Sequence, residues 1–277
     1  MFTYHKTGTV LAEQIMRAVG ERFGLTVALH YGLVENLDPA ADIVLLAHSL
    51  VGADFASRRF RAIRIVRDPR DIWVSGYLYH RRCPEGWCVN TDFDPSPPIT
   101  YPRVDYSFQH YPESWKQAYL AWLGGRSYQR NLLERDQAAG LAFELAGYTG
   151  CTLDAMRGWR LATEDLLDVQ LEALTRDFDG VLRAIFLHLG FSEGECEEAI
   201  ALAVPHDIAR MSDDAEPAHP FPHNLEMAPI PVGRPARRVR TALWRSDRQS
   251  GLSAQQPGRK QCRRVSSIGK VRRCGGS

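Results

Sequence analysis

His5-Lys6-Thr7-Gly8-Thr9-Val10-Leu11 opens the chain and decides how the rest is read. A glycine between hydroxyl residues, with a lysine just before and a helix just after, lets backbone N–H groups and the helix's positive end converge on one anion. Leu11, Ile15, Val19 and Phe23 recur at i,i+4 spacing and predict that helix. Taken alone, the stretch is either a phosphate or sulfate loop or only a tight turn before a helix.

Working outward, only residues 1–4 precede the loop, so either the strand expected to feed it is very short or the chain's start lies downstream of a fuller one. Residues 26–31 alternate weakly, and Asp42-Ile43-Val44-Leu45-Leu46-Ala47 is a continuous apolar run of the kind that forms a buried parallel strand. Ala62-Ile63-Arg64-Ile65-Val66 gives another strand, followed at once by Arg67-Asp68-Pro69-Arg70-Asp71. Asp68 can cap a helix with Pro69 in its first turn, and Ile72-Trp73-Val74-Ser75 carries it on. Strand, loop and helix alternate, which predicts an α/β fold with a central parallel sheet covered by helices on both faces. Ligands in such sheets sit at the carboxyl ends of the strands. Lys6 with its loop, His48 after Ala47, and Arg67 after Val66 fall at three such ends.

Residues 83–113 are rich in Pro, Tyr and Asp and read as a long surface loop, a lid or acceptor wall. Helical patterning returns over 114–123 and 128–145, with its aromatics expected in the core. Residues 159–163 suggest a further strand. Leu171, Leu174, Phe178, Leu182, Ile185, Phe186 and Leu189 predict one long helix that Gly190 ends, and Ser192 with Glu195 forms a capping box for the next. From Pro205 prolines recur, and beyond Gly233 the chain is Arg, Ser and Gly without apolar periodicity. One domain over 1–232 and a disordered basic tail over 233–277 are expected.

The net charge of +1 hides an asymmetry: the tail holds 13 Lys and Arg against Asp247 alone, leaving 21 basic and 32 acidic residues before it. No apolar run suggests a membrane span and no secretory pattern opens the chain, so a cytoplasmic location is expected. In that setting the six cysteines read as free thiols. Cys83 and Cys88, flanking a Pro-Glu-Gly-Trp turn, could meet in space; no zinc-type spacing supports a metal.

Together, His5-Lys6-Thr7-Gly8-Thr9, the strand ending in His48, and Arg67 to Ser75 resemble the sulfotransferase family, whose donor is 3′-phosphoadenosine 5′-phosphosulfate (PAPS). The loop is similar to the family's Pro-Lys-Ser/Thr-Gly-Thr phosphosulfate loop, with His5 in the proline's place. Arg67 and Ser75, eight residues apart, resemble the 3′-phosphate pair. Ala47-His48-Ser49-Leu50 resembles the segment whose histidine is the family's base. Ser127-Tyr128-Gln129 through Phe143-Glu144 resembles a segment of bacterial members, and Thr163-Glu164-Asp165-Leu166 the Tyr-Glu-Asp-Leu segment.

The resemblance implies a P-loop-like three-layer sandwich and a sulfotransferase acting on a small-molecule, glycan or lipid hydroxyl. His48 would be general base and Lys6 would stabilise the leaving oxygen. Lys6, Thr7, Gly8, Thr9 and Val10 would hold the phosphosulfate, Arg67 and Ser75 the 3′-phosphate, and Thr163 and Ile208 the nucleotide. No metal, specific nucleic acid or membrane span is implied, and the oligomeric state is unreadable.

Thr163 stands where the family has tyrosine, and Ile208 where it has an adenine-contacting aromatic. The Arg-Lys-Gly-x-x-Gly-x-Trp segment that completes the donor site has no clear copy after Val232-Gly233-Arg234-Pro235. An inactive or binding-only relative with a damaged C-terminus is therefore the alternative, its basic tail able to neutralise phosphates. A P-loop kinase or NTPase fits less well, because Lys6 precedes Gly8 instead of following a second glycine.

Overall fold

The first residues of the chain sit in the middle of a parallel arrangement of strands. In the computed structural model, which describes residues 1–210 except 53–59, 95, 162–164 and 208–209, Phe2 bridges in parallel to Leu46 on one side and Arg64 on the other. Phe2 N–H donates to Ile63 O at 2.7 Å and Thr3 N–H to Leu46 O at 3.0 Å. The opening residues, which form single bridges and no strand of their own, are thus held from both sides.

The elements run α1 (Thr9–Phe23), β1 (Val27–His30), β2 (Leu33–Val34), β3 (Ile43–Leu46), β4 (Leu50–Val51), β5 (Ala62–Val66), α2 (Pro69–His80) and α3 (Gly86–Val89). They continue as α4 (Glu113–Leu123), α5 (Tyr128–Leu133), α6 (Gln137–Ala146), α7 (Tyr148–Arg157), β6 (Leu166–Gln170), α8 (Leu171–Arg176), α9 (Phe178–Leu189) and α10 (Glu193–Ala203). β1 pairs with β3, β2 with β4 and β5 with β6, all in parallel. With Phe2 between β3 and β5, the order across the strands is β1, β3, Phe2, β5, β6. The fold is mixed α/β, with short parallel ladders and many helices.

Two large cores follow from the apolar pattern. Ile15, Met16 and Val19 of α1 pack with Leu45, Ile63, Ile65, Phe178, Ile185 and Phe186. Burying each such side chain stabilises the fold by roughly 1.5–3 kcal/mol. Gly24 at φ 69° ends α1, its N–H donating to Gly20 O, and Asp68 caps α2 by accepting from Arg70 N–H at 2.8 Å. The Ser192–Glu195 capping box of α10 is formed.

The second core corrects the surface-loop expectation for 83–113. Cys83, Trp87, Cys88, Ile99, Val104 and Phe108 are buried there with Tyr77, Trp115, Tyr128 and Tyr148. Proline and aspartate make the stretch look like a loop, but Trp87 and Phe108 lie inward against α2 and α4–α7, while Tyr101 and Tyr106 stay exposed. Cys83, Cys88, Cys151 and Cys196 are free thiols; Cys262 and Cys274 lie outside the described residues.

Three further elements differ from expectation. The helix expected over 128–145 is broken into α5 and α6, because Asp136 accepts from Ala139 N–H at 2.8 Å and starts a new helix. The helix expected over 171–189 is likewise divided at Asp177, which caps α9 by accepting from Gly180 N–H at 3.1 Å. Of the strand expected over 159–163, residues 159–161 form none and 162–163 lie outside the described residues; a strand forms further on as β6. Asp168 interrupts its apolar run but lies opposite Arg64 of β5, which grips it with two bonds of 2.6 and 2.7 Å. The domain boundary and tail expected at 232/233 lie outside the described residues, as do Thr163 and Ile208.

Candidate active site

The carboxyl ends of the strands gather Tyr31 and Gly32 after β1, His48 after β3, and Arg67 after β5, with the Tyr4–Thr9 turn following Phe2. Lys6 at φ 62° and Gly8 at φ 92° are left-handed, which turns the chain sharply into α1. Thr7 locks that turn: its hydroxyl accepts from Tyr4 N–H at 2.8 Å and donates to Tyr4 O at 3.0 Å. Thr7 is fully buried, so its hydroxyl is committed to the loop and only backbone N–H groups remain for a ligand. Thr9 shares a 2.8 Å bond with the Thr3 hydroxyl and donates to Tyr4 O at 3.3 Å. Gly8 caps α1 with no side-chain bond, no acid sits in the first turn, and Val10 is exposed. The start of α1 therefore presents its partial positive charge uncompensated.

Two cations adjoin it. Arg67 Nη1 donates to Lys6 O at 3.1 Å, tying the end of β5 to the loop across the sequence. Lys6 Nζ lies 4.1 Å from the centre of the Tyr79 ring. Burial first, and then the charge of Arg67, push the Lys6 ammonium down to about 8. Tyr79 OH donates to Glu85, which also accepts from Trp87 Nε1 at 2.6 Å. Ser75 lies half-buried in α2, and no hydrogen bond joins it to Arg67 among the described residues.

His48 is enclosed by groups that sequence reasoning did not connect with it. Its Nδ1 accepts from Gly32 N–H at 2.9 Å, and its Nε2 faces Asp105 Oδ1 at 3.9 Å. Burial pushes its pKa down, against the carboxylates of Asp105 and Glu85. Tyr31 packs its ring 5.9 Å from both the His48 and the Tyr106 rings, and Tyr101 stacks on Tyr106 at 4.7 Å. Gly32 is required at its position: φ is 72°, and a Cβ would stand 2.8 Å from Tyr106 O. Gly32→Ala is expected to cost about 2 kcal/mol, read as a lowered urea midpoint.

Behind Lys6 lies a sealed polar hub. His5 stacks on His80 with centroids 4.9 Å apart, and His80 Nδ1 meets Glu144 Oε2 at 2.9 Å. Tyr128 OH donates to the same oxygen at 2.9 Å and Thr149 Oγ1 to Oε1 at 2.7 Å. Burial holds the His5 pKa well below its usual value, with the charges of His80, Lys6 and His48 adding to the effect. Glu144 is fully buried. Its place on the apolar face of α6, in line with Gly140, Leu141 and Phe143, was the available signal in sequence.

Among the described residues no group of three or more His, Cys, Asp or Glu could hold a metal ion, and no helix is long and apolar enough to cross a membrane. No family model matches the chain, and no curated protein matches it. Among solved structures, mouse sulfotransferase SULT7A1 complexed with PAP is similar at 15% identity and a TM-score of 0.40, over 76% of this chain and 65% of that one. The chain thus spans less than two thirds of that structure's length, and a likeness at this level assigns neither family nor activity.

Proposed function

We propose that this chain is a sulfotransferase that moves a sulfuryl group from PAPS to a hydroxyl acceptor, on a P-loop-like three-layer fold. The observation that carries this reading is the bond from Arg67 to the Lys6 carbonyl, which gathers two cations at an uncapped helix start. That arrangement fits a ligand with several negative charges. The donor supplies the sulfuryl group.

Lys6 stabilises the charge that grows on the leaving oxygen, and the backbone N–H groups of Gly8, Thr9 and Val10 hold the phosphosulfate. Thr7 shapes the loop through its committed hydroxyl. Arg67, with Ser75, holds the 3′-phosphate, a task suited to a planar guanidinium. Thr163 and Ile208 keep the nucleotide-facing roles that the resemblance implies. His48 and Asp105 lie on the acceptor side. Tyr31, Tyr101 and Tyr106 form an exposed aromatic wall beside them, on which a ring-bearing acceptor can rest.

Calorimetric titration with 3′-phosphoadenosine 5′-phosphate (PAP), the spent donor, tests the donor site. Micromolar binding is expected, weakened at least about 100-fold by Arg67→Ala, because removing one partner of a desolvated charge contact costs several kcal/mol. A folded wild-type chain that fails to bind would overturn the proposal.

A further inference from the structure

We infer that the acceptor is a flat ring that carries, besides its hydroxyl, a protonated amine, and that Glu85 and the wall of Tyr31, Tyr101 and Tyr106 select it. The inference rests on the sulfuryl-transfer reading above and deepens it by naming the class of acceptor.

Glu85 is an exposed residue whose carboxylate is nevertheless held in place. Tyr79 OH and Trp87 Nε1–H donate to it, the second at 2.6 Å. Trp87 is itself buried and stacks on Tyr148 with ring centres 4.9 Å apart, so the clamp is rigid. The side chain does not cap α3, which begins at the next residue. A carboxylate offers about four lone-pair sites, and two bonds leave room for a further donor.

The carboxylate stands between the two halves of the cleft. On one side Tyr79 carries Lys6 Nζ 4.1 Å from its ring centre. On the other, Gly86 lies against the wall: a Cβ on it would stand 2.7 Å from Pro102 Cβ and 3.8 Å from the Tyr101 hydroxyl. Tyr101 stacks on Tyr106 at 4.7 Å, and Tyr31 leads from Tyr106 to His48, 5.9 Å from each ring. Burial sets the main shift at Lys6, His48, Tyr31 and Tyr101, and the charge of Glu85 acts on all four.

A negative charge at this place works against an anionic donor. An acceptor that brings its own positive charge turns that burden into a contact, through a charge-assisted hydrogen bond to Glu85. Exposed tyrosine faces add attraction for the same cation and stack on the ring that bears it. With its ring on the wall and its ammonium at Glu85, such a molecule can turn its hydroxyl towards His48. A neutral ring compound meets the same wall but leaves the Glu85 charge unanswered.

Tyramine and 4-ethylphenol share the phenol and the two-carbon chain and differ only in the amine, so they serve as probes. Each is titrated calorimetrically into the full chain at pH 7, with and without saturating PAP. Tyramine is expected to bind about tenfold or more tighter than 4-ethylphenol. Glu85→Gln keeps the shape but not the charge, and is expected to reduce that preference to about threefold or less. In turnover with PAPS the preference is expected in KM. Equal affinity for the two probes, or no binding of tyramine, would overturn the inference, and neither result depends on a variant. A Glu85 that only braces Tyr79 and Trp87 would, on replacement, weaken both probes together and leave their ratio intact, which would also overturn it. Failure of the donor-site reading is distinguishable, because it appears as absent PAP binding while the preference for tyramine persists.

Discussion

Replacing Glu144 with alanine is expected to lower global stability by about 3–5 kcal/mol, the net cost of leaving its buried hydrogen-bond partners without an acceptor. Glu144 is fully buried and accepts from His80, Tyr128 and Thr149. Without it three polar groups lose their acceptor, and each orphaned group costs roughly 1–3 kcal/mol. Relief from burying the carboxylate, and water entering the space, offset part of that sum. A domain of this size is stable by only about 5–15 kcal/mol, so the loss is a large share of the total. Urea denaturation reads it directly. Glu144→Gln, which keeps the shape and one acceptor oxygen, is expected to lose about half as much; a loss below about 1 kcal/mol for Glu144→Ala would show that the hub does not hold the helices together.

That hub marks the limit of what the sequence discloses. Elements whose pattern is local were readable: α1 from its i,i+4 apolar row, β3 and β5 from continuous apolar runs, α2 from Asp68-Pro69, and α10 from its capping box. The placement of Lys6, His48 and Arg67 at strand ends was also readable, because parallel topology follows from alternation. What failed depends on partners distant in sequence. β6 is hidden by Asp168 until Arg64 is known to lie opposite. The stretch 83–113 has the composition of a loop, and only its aromatic contacts with α2 and α4–α7 reveal a core. Gly32 and Asp105 meet His48 from separate segments, so no spacing could have announced them. Helix breaks at Asp136 and Asp177 preserve the apolar rhythm on both sides and are invisible to periodicity.

Affinity for PAP is expected to fall as pH rises through about 8, approaching tenfold per pH unit above it. In the free chain, burial and the neighbouring Arg67 hold Lys6 at about 8, far below its ordinary 10.5. A bound anion favours the ammonium again, so binding above pH 8 must take up a proton, and affinity declines as that proton becomes scarce. Below pH 7 Lys6 is already charged and contributes no slope. Lys6→Arg, which stays charged throughout, is expected to bind PAP without this decline, whereas Lys6→Met should bind weakly at every pH. Folding supplies an independent check with the opposite sign. Because the folded chain holds Lys6 below its unfolded value, the ammonium is a burden at pH 7 that is relieved as pH climbs from 8 towards 10.5. The stability advantage of Lys6→Met over the wild type should therefore be largest at pH 7 and shrink across that window, a difference in which the other titrating groups cancel. A flat pH profile of PAP binding in the wild type, together with a constant stability difference, would mean that Lys6 is neither desolvated nor in contact with the donor.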